Sequence, residues 1–158
     1  MSALHILLYG VYLVVLTYLV VRLPFFKKSG LKPTYLVIFF LIRVAASVIH
    51  NLAALAFYPR KGDIWEYFED GKMMKADLLA SPSFFFARYF DTSIDGYWDY
   101  FQYSLIETLN MLLDFVSFDN MYINSLIFSF CVFAGSIALF RTFMKVFNEN
   151  LLASLTAV

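Results

Sequence analysis

The side chain best placed to do chemistry is the carboxylate of Asp63. It stands in Pro59-Arg60-Lys61-Gly62-Asp63-Ile64-Trp65-Glu66-Tyr67-Phe68, just after a long apolar stretch that ends near Phe57. Gly62 lets the chain turn there. A carboxylate on such a turn at a membrane surface can act as a general base toward an attacking hydroxyl. It can also cap the following helix by accepting from the free N–H groups of the first turn, and the two roles are compatible. Arg60 and Lys61 precede it. Arg can grip two phosphate oxygens at once, although flanking cations also serve simply to anchor the end of a span.

Other residues invite a chemical reading beside a plainer one. Asp63, Glu66 and Asp70, at i, i+3 and i+7, present oxygens that suit a divalent metal; a solvated helix face accounts for them more simply, and no metal ligand is assigned. Arg43 interrupts an apolar run. An intramembrane Arg faces a protein interior or cavity, or else snorkels to the headgroups. His50 and Asn51 near the end of the same run read as hydrogen-bonded packing rather than metal ligands. Cys131 is expected to be buried as a small apolar residue. Gly135 and Ser136, and the Ser125–Ser129 pair, allow close helix contact. No P-loop, dinucleotide-binding turn, nucleophile elbow or HExxH is present.

Three apolar stretches must position these groups, at about 3–23, 34–57 and 121–140. Each meets the roughly 20 residues needed to cross a hydrocarbon core of about 30 Å. The first is not a signal peptide: no cation precedes it, it is too long, and no small-residue cleavage site follows. Composition agrees. The 158 residues are 61% hydrophobic, 20% aromatic and 15% charged, with mean hydropathy +0.71. This excludes an ordinary soluble domain and a disordered chain. A net charge of zero argues against a nucleic-acid partner, and a single cysteine excludes a disulfide framework and a cysteine zinc site.

The charges are segregated. Arg22, Lys27, Lys28 and Lys32 follow the first stretch, which makes that loop cytoplasmic by the positive-inside rule. The amino terminus is then outside, and Arg141 and Lys145 fall inside. Residues 58–120 hold eleven of the twelve acidic side chains and five of the twelve basic ones, and form the outer segment. Within it, periodicity predicts a helix over 63–79, with Ile64, Tyr67, Phe68, Gly71, Met74, Leu78 and Leu79 on one arc and an acidic edge of Asp63, Glu66, Asp70 and Asp77. A second helix is expected over 97–116, where Asp99, Tyr103, Glu107, Asn110 and Asp114 make a thin polar seam in a wide apolar surface. That pattern suits a largely buried helix facing a polar cavity. The second helix is long enough to span, but a four-span topology would put Arg141 and Lys145 outside, against the charge rule. Between the two helices Ser81-Pro82-Ser83 is a break. Phe84, Phe85, Phe86, Tyr89 and Phe90 follow as an interfacial anchor, or as a surface for a lipid tail or sugar ring. The expected fold is an all-α, polytopic membrane protein, with three transmembrane helices plus two outer interfacial amphipathic helices in a single membrane domain.

Gly62-Asp63 with Trp65, Tyr67 and Phe68, then Asp70-Gly71, together with Ser117-Phe118-Asp119-Asn120-Met121-Tyr122-Ile123-Asn124 and Leu139-Phe140-Arg141, carry a resemblance. The chain resembles the amino-terminal part of GT-C-type polytopic membrane glycosyltransferases, in particular those of cell-envelope polysaccharide biosynthesis. The resemblance implies inverting sugar transfer outside the cytoplasmic (inner) membrane from a polyprenyl-phosphate-linked donor. It implies Asp63 as catalytic base, with Arg60, Lys61, Trp65, Glu66 and Tyr67 binding substrate. A divalent metal serves some such transferases and not others. Two features depart from the pattern. The Asp follows the second span where the family has it after the first, and the family has many more spans, so the chain is expected to be incomplete at its carboxyl end. The alternative expectation is a small non-catalytic membrane subunit whose outer helices bind a partner protein or lipid; a transporter is the weaker third.

Overall fold

Proline marks where helices begin. The computed structural model describes residues 3–57, 63–89 and 97–147, the side chains of 97–104 excepted. In it Pro24, Pro33 and Pro82 each open a helix, where a missing N–H costs nothing and the fixed φ already suits the turn. The order is α1 (Ala3–Arg22), α2 (Pro24–Lys27), α3 (Pro33–Phe57), α4 (Asp63–Ala80), α5 (Pro82–Tyr89), α6 (Tyr97–Ser117) and α7 (Met121–Val146). No strand occurs among the described residues. The fold is all-α, and α1, α3 and α7 are long and apolar enough to cross a membrane. With 20 residues, α1 reaches about 30 Å, the thickness of the hydrocarbon core. Among the described residues no fourth helix meets both criteria. Helix α7 runs six residues past its expected end at Phe140, because a charge does not stop a helix; the Arg141 guanidinium settles 5.5 Å from the centre of the Phe25 ring.

The chain divides into two compact units. The first takes the residues up to Ser47 and those from Leu126 onward. Its core is apolar. Phe26, on the four-residue α2, is fully buried, stacks on Phe133 at 5.6 Å and meets Phe130 edge-on at 5.7 Å. Phe40 closes on the same two rings from α3, and Val20 of α1 and Leu36 of α3 fill the remainder. The α2–α3 turn is held by Ser29, whose Oγ donates to the Phe26 carbonyl at 2.6 Å and accepts from Leu31 N–H at 3.3 Å. Gly30 supplies the left-handed φ of 78°. Much of the spans' remaining surface is exposed and apolar, as at Leu7, Val14 and Ile42, which lipid solvates as readily as protein does.

The second unit is Val48–Ser125. There α4 packs along α6, and Gly71 is the point of closest approach. A Cβ at residue 71 would lie 2.8 Å from Asn110 Cβ and 2.9 Å from the Met111 backbone nitrogen. Met74, Phe85 and Met111 form the apolar centre beside it. The predicted arc on α4 holds for Phe68, Gly71 and Met74, which are buried, while Leu79 is exposed in the final turn. The aromatic stretch expected as an anchor folds as α5. Tyr89 Oη donates to Asp77 Oδ2 at 2.9 Å and Arg88 pairs with the same carboxylate at 3.1 Å, tying α5 back to α4. Phe85 turns inward, whereas Phe84 and Phe86 stay exposed.

Candidate functional site

Asp63 is the first residue of α4, and Glu66 shares its first turn. Negative charge is favoured there by the free N–H groups and the helix dipole. Both carboxylates are exposed. Trp65 is half-buried, its ring 6.2 Å from that of Phe68 and 6.2 Å from that of Tyr122, both edge-on. Tyr67 is half-buried. The helix therefore packs its aromatic residues inward while Asp63 and Glu66 face outward. Arg60, Lys61 and Gly62 lie outside the described residues, so the expected cation pair and turn have no structural description. The acidic stripe is not evenly exposed. Asp70 is half-buried, and its charge, after burial itself, raises the pKa of Glu107 on α6. Among the described residues no three His, Cys, Asp or Glu side chains stand close enough to share a metal ion.

A second, denser polar cluster gathers where α6 ends and α7 begins. Helix α6 closes with a turn in which the Asp119 N–H reaches back to the Asp114 carbonyl at 3.4 Å, while Phe118 and Asp119 both take φ of 56°. This is the six-to-one hydrogen bond of a Schellman ending, with Phe118 at the position usually held by Gly. Asn120 then caps α7: its Oδ1 accepts from the N–H groups of Tyr122 and Ile123 at 3.0 and 3.4 Å. The turn brings Asp114 against the first helical turn of α7, where Asn124 Nδ2 donates to Asp114 Oδ1 at 2.7 Å. From α4, Lys75 Nζ donates to the Asp114 carbonyl at 3.0 Å and pairs with Asp119 at 2.8 Å. From the end of α3, Asn51 Nδ2 donates to Ser125 Oγ at 2.8 Å.

Burial pushes the Asp114 carboxyl up from 3.8 to about 6. The Asn124 bond and the charges of Lys75 and Lys72 pull it down, and Asp119 adds to the rise. Such a group can take up and release a proton near neutral pH. Five further atoms of this unit, Asn51 Oδ1, Asp114 Oδ2, Ser117 Oγ, Asn120 Nδ2 and Asn124 Oδ1, are buried and make no hydrogen bond among the described residues.

The polar seam of α6 pointed to part of this cluster: Asn110 and Asp114 are buried and Glu107 is half-buried, while the side chains of Asp99 and Tyr103 lie outside the described set. Lys75, Asp119 and Asn124 were missed. Their signal was the i, i+4 spacing of Asn120 and Asn124 at the head of an otherwise apolar span. Three other expectations resolve. Arg43 is exposed on α3, which suits snorkelling rather than an interior role. His50 is exposed while its neighbour Asn51 is fully buried. Cys131 is exposed, not buried, because the outward face of a span needs only apolar character and no protein neighbour.

Fold and composition thus define a class: an all-α, polytopic membrane protein, with a polar cluster in one of its two units. Beyond that class, no family model, no curated protein and no solved structure matches the chain.

Proposed function

We propose that the chain is a membrane glycosyltransferase, or the amino-terminal part of one, that moves a sugar from a polyprenyl-phosphate-linked donor on the outer face of the cytoplasmic membrane. The observation that carries this reading is the placement of Asp63, an exposed carboxylate in the first turn of the helix that follows the second span. A general base must reach the acceptor hydroxyl, and this one is open to it. Asp63 takes the hydroxyl proton as the acceptor oxygen attacks the anomeric carbon, and the lipid phosphate leaves with the bonding electrons. Glu66 accepts from the hydroxyls of the sugar, Arg60 and Lys61 neutralise the donor phosphate, and the half-buried Trp65 and Tyr67 meet the sugar only through what of each side chain stays exposed. The cations of the α1–α3 connection support an outside amino terminus, which puts Asp63 outside.

The test is transfer by membranes carrying the full-length protein, supplied with a polyprenyl-phosphate sugar labelled in the sugar. Asp63→Asn should lower transfer by about 10²–10⁴ at unchanged protein level. Transfer undiminished in Asp63→Asn overturns the assignment.

A second reading, a non-catalytic membrane subunit, draws on α1. That helix buries only Leu16 and Val20, and Gly10 opens an apolar notch between Ile6, Leu7, Val11 and Val14. Close helix approach in a membrane uses such small residues. A cross-link from Val11→Cys to a second membrane protein, with no sugar transfer by the wild type, would favour it.

A further inference from the structure

Two of the unpartnered buried atoms belong to side chains that already touch. Asp114 Oδ1 accepts from Asn124 Nδ2 at 2.7 Å, and both residues are at least 99% buried. The other oxygen of each, Asp114 Oδ2 and Asn124 Oδ1, makes no hydrogen bond among the described residues. An ionised carboxylate has only acceptors to offer, so these two oxygens cannot serve each other. A carboxylic acid has one O–H donor. A proton on Asp114 Oδ2 can be donated to Asn124 Oδ1, because carboxyl and primary amide are planar groups of nearly equal bite. The two hydrogen bonds then close a ring, and one proton satisfies both oxygens.

We propose that Asp114 and Asn124 form a proton-binding site, in which the folded protein holds Asp114 as a neutral carboxylic acid paired twice with the Asn124 amide, and that loss of this proton loosens the α6–α7 junction. The proposal stands independently of the role given to Asp63.

The surrounding charges are compatible with a neutral acid. Lys75 reaches over from α4, but its ammonium is bound to the Asp119 carboxylate and to the backbone carbonyl of Asp114, not to the Asp114 carboxyl. The Lys75–Asp119 pair is neutral by itself. Lys72 on α4 pairs with Glu69 at 3.1 Å and acts on Asp114 only as a further charge. Asp119 in the turn opposes ionisation. The contact from α7, Asn124, is uncharged, and from the end of α3 the neutral Asn51 bonds Ser125. Burial outweighs the lysines, and the acid titrates near pH 6. The competing occupant is a small cation, since the same two oxygens are hard ligands; it would keep Asp114 ionised.

The experiment is infrared spectroscopy of the full chain in lipid bilayers, following the carbonyl stretch of protonated carboxylic acids across the pH range in sodium and in potassium buffers. The expected result is a band that disappears with a midpoint near pH 6, is independent of the cation, and is missing from Asp114→Asn. That variant replaces the acid with an amide able to donate and accept at the same places, so it keeps both bonds. Its thermal midpoint should fall less between about pH 5 and about pH 8 than that of the wild type does, Glu107 being left to titrate in both. Asn124→Leu should keep the band but move it to higher frequency, as the carbonyl loses its donor. A wild-type spectrum with no band assignable to Asp114 at about pH 5 overturns the proposal. So does a midpoint that drops as sodium rises, which would put a cation in the site.

Discussion

Phe26 and Asp114 are both fully buried, one in each unit, and they are held by different kinds of contact. Around Phe26 the partners are rings and branched aliphatic chains, and Ser129 is the one buried polar residue of that unit among the described residues. Around Asp114 lie Asn124, Ser117 and Asn120, with Asn51 and Ser125 buried in the same unit. The difference follows from solvent. Span helices gain little from leaving lipid for one another, so they associate by shape, here interlocking aromatic edges. The polar unit instead approaches closely at Gly71 and joins helix ends through hydrogen bonds. Shape alone tolerates approximate substitutes; a buried hydrogen-bond network requires specific partners and can titrate.

The largest expected effect probes the apolar unit. Phe26→Ala removes the ring that α3 and α7 close upon and should cost about 3–5 kcal/mol. Unfolding in detergent micelles measures it. A cost no greater than that of Gly71→Ala would undo the comparison, because α2 would then be a passive linker.

Next comes pH, which should act on the polar unit alone. Asp114 binds its proton more tightly folded, near 6, than unfolded, at 3.8. The folded state therefore holds more protons between those values. Stability is greatest below about pH 4 and falls as pH rises toward 6 and beyond, by about 3 kcal/mol in all. Glu107, also raised by burial and by Asp70, contributes with the same sign. Hydrogen exchange of amides in α6 should accelerate with this profile beyond the ordinary pH effect, while amides of α1 should not. A profile shared by both units would mean that they unfold as one.

Gly71→Ala should cost about 1–3 kcal/mol, since the added methyl meets Asn110 Cβ and the backbone of Met111, neither of which is the far end of a flexible side chain. The measurement is the same micelle unfolding. A neutral result would show that α4 can ride outward from α6, and the polar unit would then be the more forgiving of the two.

The two units were also unequally legible. Spans announce themselves by uninterrupted apolarity, and 3–23 and 34–57 came within a residue of α1 and α3. Helix α2 did not announce itself, for four residues have no period to read. The seam on α6 was visible because Glu107, Asn110 and Asp114 repeat at helical spacing. Its partners were not: Lys75 and Asp119 lie 44 residues apart, and no local pattern records a long-range pairing. Gly71 appeared as one member of an apolar arc, and its role as the contact point depends on a neighbouring helix that its own sequence does not specify. Of the expected site, the register of Asp63 at a helix start was legible. The half-burial of Asp70, where Asp63 and Glu66 on the same face are exposed, was not, because it depends on α6 packing along α4.

The smallest expected effect is a gain. Phe118 takes the left-handed conformation and is 63% exposed, and that backbone region costs a residue with a Cβ about 1–2 kcal/mol. Phe118→Gly relieves the strain at the price of a more flexible unfolded chain, so the net gain should be about 0.5–1 kcal/mol. If it appears, the turn is held by the Asp114 carbonyl, Lys75 and the Asn120 cap, and the ring is dispensable. A loss of stability on Phe118→Gly in lipid bilayers, with a gain in micelles, would instead show the ring seated in the membrane. The polar unit would then owe part of its hold to the same apolar contact that organises the spans, and the contrast between Phe26 and Asp114 would be one of degree.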